Sequence, residues 1–538
     1  MANGFSNGLS GQKKNNQADN QDAATNSQKN SKVIVKEKGL TVNIFFDGTM
    51  NNMFNSELRT KNNLTEKDQS SQNFMKDQTS YNNDLSNVAL LYMAATTKKG
   101  KVENIYISGA GSATESEDNY QLDDGKQGAG LGRGDTGVIT RVDQAINKLK
   151  KKLNQYRPEE AYLNVFGFSR GSFFARHFCY KIRKKDQKIY SFFDGVTGSS
   201  EPVIPDSFIH QKDLHIHLVG IFDTVSSEGV NHYNDVEEWG LNIGSRYDIQ
   251  RIIHLTCQND YRKHFPLTHI NTAIGDGIGF ECSFPGAHSD VGGSYMPNYP
   301  EPDTNIKSAA YTLHNMPAGY KYISVLNSKD ISCGMDGEIN WEWFKKMGYY
   351  KGDPTSSDPT QWGEFFVFNI PENNYMPSPY PGGVPMYTQQ TYVKGVAVRH
   401  ITRNKTYQFV LANIMKEAAE KIAVIEFKGK QPQKLDNGIA QMKQDEILGK
   451  INEYAADFVL NNYKNSGSYQ ITLDKVRLNA DQQQKLYHDY LHNSLSADDN
   501  PIIGPNRGVS GQTTPPQRAD IKDNDPTLFA TLTGIVRR

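Results

Sequence analysis

A serine with a glycine two residues to either side, Gly167-Phe168-Ser169-Arg170-Gly171, is the stretch of this chain best suited to chemistry. The pattern suits a nucleophilic serine on a tight strand-to-helix turn, where the backbone is strained and close neighbours must be small. Such a serine needs a base to take its proton and a carboxylate to orient and charge-balance that base. His288, on the Gly-rich stretch Pro285-Gly286-Ala287-His288, is the candidate base, and Asp223, closing Gly220-Ile221-Phe222-Asp223, the candidate acid. In these roles Ser169 attacks an acyl carbonyl, His288 serves as general base and then general acid, and Asp223 stabilises the imidazolium. The oxyanion calls for backbone N–H donors. Arg170, at the start of the following helix, offers one; Gly48 or Thr49, in the polar turn Asp47-Gly48-Thr49, offers a second. Asp290 is the reserve acid, although two residues from His288 it more naturally braces the loop, and Asp194 is a weaker reserve. His177, His254, His264 and His269 read as structural. His215 and His217 lie two apart on one strand face with no third ligand placed near them, so no metal is expected.

Residues this far apart in sequence can meet only if their elements end on a common edge. Residues 162–166 read as a buried strand and the helix after the elbow runs through Phe178. Strands are also expected at 40–46, 102–108, 214–222 and 280–284, with helices at 85–96 and 138–153 between them. Residues 248–257 read as a helix and 55–86 as a polar surface loop. Of the glycines at 109–111 and 128–134, the second set follows no strand, and neither has the acidic residue that a dinucleotide site requires. Strands alternating with helices imply a parallel sheet, whose carboxyl ends lie along one edge. The fold class is α/β: an α/β-hydrolase-like, mostly parallel sheet flanked by helices, with an inserted aromatic-rich and helical module. The order serine, acid, histidine is that of α/β-hydrolases.

Composition narrows the function classes. The 538 residues carry 59 basic and 60 acidic side chains, a balance that excludes an electrostatic nucleic-acid binder. No cofactor is indicated. Eleven per cent aromatic and 37% hydrophobic residues suffice for a core, while a mean hydropathy of -0.66 implies very polar surfaces and loops. No apolar run is long enough to span a bilayer, and the first residues lack the apolar centre of a signal peptide. The four cysteines have no metal or redox spacing and read as buried thiols of a protein made in a reducing cytoplasm.

Residues 1–37, rich in Asn, Gln, Ser and Lys, form an expected disordered arm. Residues 38–299 are the expected catalytic domain. Residues 300–480 are the inserted module, with three of the four tryptophans and amphipathic helices at 406–427 and 446–460. Its aromatics either form the module's own core or make a platform or lid for a lipid surface, where Trp and Tyr favour the boundary. Residues 481–538 form a C-terminal strap that can return to the catalytic domain.

Phe45-Phe46-Asp47-Gly48-Thr49, the Gly-Phe-Ser-Arg-Gly elbow, Gly220–Val225 and Pro285–Gly293 together resemble the lipase effectors of the bacterial type VI secretion system. The resemblance implies an α/β-hydrolase core, with Ser169, Asp223 and His288 as the catalytic set. It also implies a serine phospholipase A acting as an antibacterial toxin on the phospholipid bilayer of a target cell. Export by type VI secretion on a spike protein, action in the target's periplasm and neutralisation by a cognate immunity protein are further implications. The competing readings are a soluble-ester or other acyl hydrolase, and a non-catalytic binding protein on the same core.

Overall fold

The computed structural model describes residues 39–61, 80–113, 128, 132–183, 203–226, 236, 239–260, 265–296, 320–325, 341–376, 386–399, 401–492, 520–521 and 523. The expected arm 1–37 lies outside them. Its centre is a seven-stranded sheet in the order β2-β1-β3-β4-β5-β7-β11. The strands are β1 (Gly39–Phe46), β2 (Val102–Ile107), β3 (Glu160–Phe168), β4 (Leu214–Phe222), β5 (Ile249–Cys257), β7 (Gly279–Phe284) and β11 (Gly467–Gln470). A short strand, β6 (Leu267–Thr268), lies between β5 and β7 in sequence. All pairings in the large sheet are parallel. Because the chain passes from β1 outward to β2 and then back to β3, the winding reverses between β1 and β3. That reversal opens a crevice at the carboxyl ends of the two strands, the position at which open α/β sheets bind ligands.

Alternate side chains leave the sheet on opposite faces. Val42, Ile44, Leu163, Val165 and Ile252 enter one buried cluster with helices Val138–Tyr156, Arg170–Arg183 and Asn271–Gly275. Phe45, Phe166, Leu218 and Ile253 enter the other, with Asn87–Ala94, Gln408–Ala423, Gln433–Gln444 and Glu446–Asn462. Both faces being covered, the strands are buried almost throughout, as parallel strands are. Register is set by amide side chains as well as by apolar packing: buried Asn164 donates to buried Asn43, and Asn43 to half-buried Asn104, each at 2.8 Å, across three adjacent strands. A bulge where β4 meets β3 admits His217 as an extra residue, so Ile216 and Val219 share a face.

The fold class is as expected, and two local readings are corrected. Residues 249–257 form a strand, not a helix: as a middle strand, β5 is buried from Ile252 to Cys257, with Ile252, Ile253 and Leu255 in no alternating pattern, which periodicity cannot separate from a buried helix. Met53–Lys61, which overlaps the start of the expected loop, is a helix; it buries Asn55 and Ser56, which bond Ser80, Ala113, Asn52 and Asn83, so it has no apolar stripe to read.

The stretch expected as an inserted module is woven into this frame. The helix Gln408–Ala423 packs on β4, and β11 forms the sheet's edge beside β7. An antiparallel sheet of β8 (Tyr320–Val325), β9 (Phe365–Met376) and β10 (Met386–Arg399), in the order β8-β10-β9, forms a separate layer. Trp341, Trp343, Phe344, Tyr349, Tyr350 and Phe365 are buried against one another, so this aromatic run packs as core. Near the end of the chain, β12 (Asp520–Ile521) pairs with β6. Among the described residues, no helix is long and apolar enough to cross a membrane.

Candidate active site

Ser169, Asp223 and His288 all lie beyond carboxyl ends of sheet strands. Ser169 follows the last residue of β3 and Asp223 the last of β4, and those two last residues, Phe168 and Phe222, are register partners. Ser169 N–H donates to Phe222 O at 3.0 Å. Both turns use the left-handed region, with φ of 59° at Ser169 and 42° at Asp223. Non-glycine residues seldom adopt it, and it persists where surrounding structure enforces it. The elbow glycines answer to packing: a Cβ on Gly167 would lie 2.5 Å from Gly171 O, and one on Gly171 would lie 2.3 Å from Phe46 O. The glycines thus let the turn close on itself and press against the end of β1.

His288 opens the short helix His288–Gly292, four residues past β7. Its Nδ1 bonds Asp223 Oδ2 at 2.5 Å, with both side chains buried. Asp223 Oδ1 accepts the Cys257 N–H at 2.9 Å, and Cys257 Sγ lies 3.4 Å from Oδ2. The imidazole packs against two rings, tilted on Phe168 at 4.7 Å and edge-on to Phe265 at 5.3 Å between centroids. Phe168 is the residue before Ser169, so the base lies directly beside the elbow. The segment after β5 holds the histidine loop, with Asn259 and Gly286 exchanging bonds and Asp260 accepting the His288 N–H at 3.2 Å.

Asp290, the reserve acid, is committed elsewhere. Its carboxylate accepts the Ala287 N–H at 2.8 Å and the His492 N–H at 2.9 Å, and bonds His492 Nδ1 at 2.7 Å. The competing histidines are engaged as well. His177 Nδ1 bonds Trp239 O, and His254 and His269 both bond Glu281. Asp194 and His264 lie outside the described residues.

On the other side of the crevice is the turn after β1. Gly48, expected to offer its N–H to an oxyanion, instead donates it to Asp47 Oδ1 at 2.8 Å. The same carboxylate accepts Ser86 Oγ and Tyr106 Oη, each at 2.6 Å. Burial lifts Asp47 to about 6 against the pull of these donors, which favour its charged form. Asp47 is therefore the anchor of this turn, a role that reading the turn as an isolated stretch missed. Thr49 remains as the candidate donor from this loop; its Oγ1 is buried without a hydrogen-bond partner among the described residues. Arg170 extends its guanidinium to Gly128 O at 3.3 Å, and burial lowers it to about 10. Among the described residues, no cluster of His, Cys, Asp and Glu could hold a metal ion.

Residues 197–318 match the family model of the catalytic domain of Tle1-like phospholipase effectors of the type VI secretion system. In sequence, this chain is similar to the Tle1-like phospholipase effectors. The match bears out the resemblance carried by the motifs, and Asp223 and His288 fall inside it. Two solved structures are similar in part. The Tle1 effector bound to the VgrG spike of the type VI secretion system is 19% identical, with a TM-score of 0.48 over 85% of this chain and 84% of that one. An uncharacterized protein from Pseudomonas aeruginosa is 18% identical, with a TM-score of 0.27 over 48% of this chain and 42% of that one. No curated protein matches the chain.

Proposed function

We propose that this chain is a serine phospholipase A that hydrolyses acyl esters of membrane phospholipids as an antibacterial type VI secretion toxin. The observation that carries the reading is the His288–Asp223 hydrogen bond, made beside the strained Ser169 turn at the sheet's reversal point. Ser169 Oγ attacks the ester carbonyl while His288 Nε2 takes its proton. Asp223, its other oxygen fixed by Cys257 N–H, accepts from Nδ1 and stabilises the imidazolium. Backbone N–H groups of Arg170 and Thr49 receive the oxyanion. His288 returns the proton to the departing lysophospholipid alkoxide, leaving an acyl-serine. Water activated by His288 then releases the fatty acid.

Spike-borne delivery is supported by the family match and by the spike named in the solved complex. Action in the target periplasm and a cognate immunity protein complete the reading. The test is fatty-acid release from phospholipid vesicles carrying different acyl chains at the two positions. Ser169→Ala, checked for a native circular dichroism spectrum, is expected to lower kcat on the order of 10^6-fold. Unchanged release by the folded variant overturns the proposal, and turnover of short soluble esters without vesicle hydrolysis points to a different acyl hydrolase.

A further inference from the structure

Beneath the candidate triad lies a second imidazole–carboxylate pair. His254 on β5 and Glu281 on β7 are register partners, both buried, and His254 Nδ1 bonds Glu281 Oε2 at 2.9 Å. The carboxylate also accepts from His269 Nδ1 at 2.6 Å, Ser468 Oγ at 3.2 Å and the Ile270 N–H at 3.3 Å. Burial alone would raise Glu281, but the bonds from the two histidines outweigh it and hold the carboxyl well below its usual range. An ionised carboxylate only accepts, so His254 carries its proton on Nδ1 and presents Nε2 as a bare lone pair.

That lone pair has one fixed donor. Thr224 N–H lies 3.1 Å from His254 Nε2, and Thr224 Oγ1 lies 3.2 Å from it. Thr224 is fully buried and directly follows Asp223. The left-handed turn at Asp223 takes the Thr224 N–H out of the strand ladder: Asp223 N–H still meets Leu255 O on β5, while Val225 N–H takes the Ser169 carbonyl. A buried N–H removed from its ladder needs another acceptor, and the imidazole of His254 is that acceptor.

We infer that His254 and Glu281 are positioning residues, a second relay that clamps the Thr224 N–H and so holds the Asp223 carboxylate at the angle His288 requires. The inference rests on the reading of Asp223 as the orienting acid. Neither residue touches substrate; both act through the backbone one residue past the acid.

The test uses the full chain on vesicles of phosphatidylethanolamine and phosphatidylglycerol, with Ser169→Ala and Asp223→Asn as references. His254→Phe keeps the ring and removes the acceptor. It is expected to lower kcat about ten- to a hundredfold with KM unchanged. The acid limb of its pH–rate profile is expected to move to lower pH, as in Asp223→Asn, because a misdirected carboxylate no longer supports the imidazolium. His254→Gln, whose amide oxygen can accept, restores part of the loss. A folded His254→Phe with unchanged kcat and pH profile overturns the inference. Full activity in both reference variants overturns the triad instead. Should His254→Phe not fold, nitrogen-labelled histidine NMR of the unaltered protein decides. A neutral imidazole with its proton on Nδ1 throughout the activity range is expected, and a proton on Nε2 of His254 overturns the relay.

Discussion

Asp47 shows how much of this site depends on one acid that touches no substrate in the proposed mechanism. It collects Ser86, Tyr106 and the Gly48 N–H around a buried carboxylate, and with them the shape of the loop facing Ser169. Its folded value of about 6 stands above the ordinary 3.8, so between these values the folded state binds the extra proton. Stability contributed by Asp47 is therefore full below about pH 3.8 and is lost as pH rises through about 6, by about 3 kcal/mol in all and about 2 kcal/mol of it between pH 4 and pH 6. Asp47→Asn keeps an acceptor for Ser86 and Gly48 but cannot titrate. The stability of the natural protein relative to this variant is expected to fall from pH 4 to pH 6, read from urea midpoints across that range; a constant difference refutes the assignment. Ser169, Asp223 and His288 could be proposed from the sequence because each stands beside a short motif at a strand end. The part played by Asp47 was not, since its donors come from residues 86 and 106 and meet it only in the folded chain.

At the scale of elements, the elbow is where packing leaves least room. A Cβ at Gly171 would meet two backbone carbonyl oxygens, of Phe46 at 2.3 Å and of Asp47 at 2.4 Å, and neither can move without the end of β1. Gly171→Ala is expected to cost about 1–3 kcal/mol or more and to lower kcat, because the displaced loop carries Thr49. Gly275→Ala, where a Cβ meets nothing within 4 Å, is the control. It is expected to be neutral or stabilising by up to about 1 kcal/mol, with both variants read by urea unfolding. Strands β1, β3, β4 and β7 announced themselves through apolar runs ending in Gly, Asp or Pro. β5 did not, because a central strand buried on both faces has no alternation to separate it from a helix. Nor could the four residues of β11, with alternating half-buried and exposed positions, be recognised as the seventh strand; only pairing with β7 makes them one.

At the scale of the molecule, segments distant in sequence complete one another's cores. Arg176, buried on the elbow helix, donates to the carbonyls of Leu241, Thr268 and His269 and pairs with the equally buried Asp523 at 3.0 Å. Asp523 also accepts the Thr272 N–H. Removing one member of a buried pair leaves a charge without compensation. Asp523→Ala is expected to lower stability by about 3–5 kcal/mol, seen as a lower urea midpoint at unchanged slope; an unaltered midpoint would show the pair with Arg176 to be dispensable. The helix Gln408–Ala423 packing on β4, and His492 gripping Asp290, belong to the same pattern. It has a consequence for timing during synthesis. A ribosome that has passed Met296 has already made Ser169, Asp223 and His288, yet neither the helix that packs on β4 nor the His492 clasp on Asp290 exists. The arrangement of these three residues is therefore expected to form only once His492 has been made, after every one of the three is already in the chain.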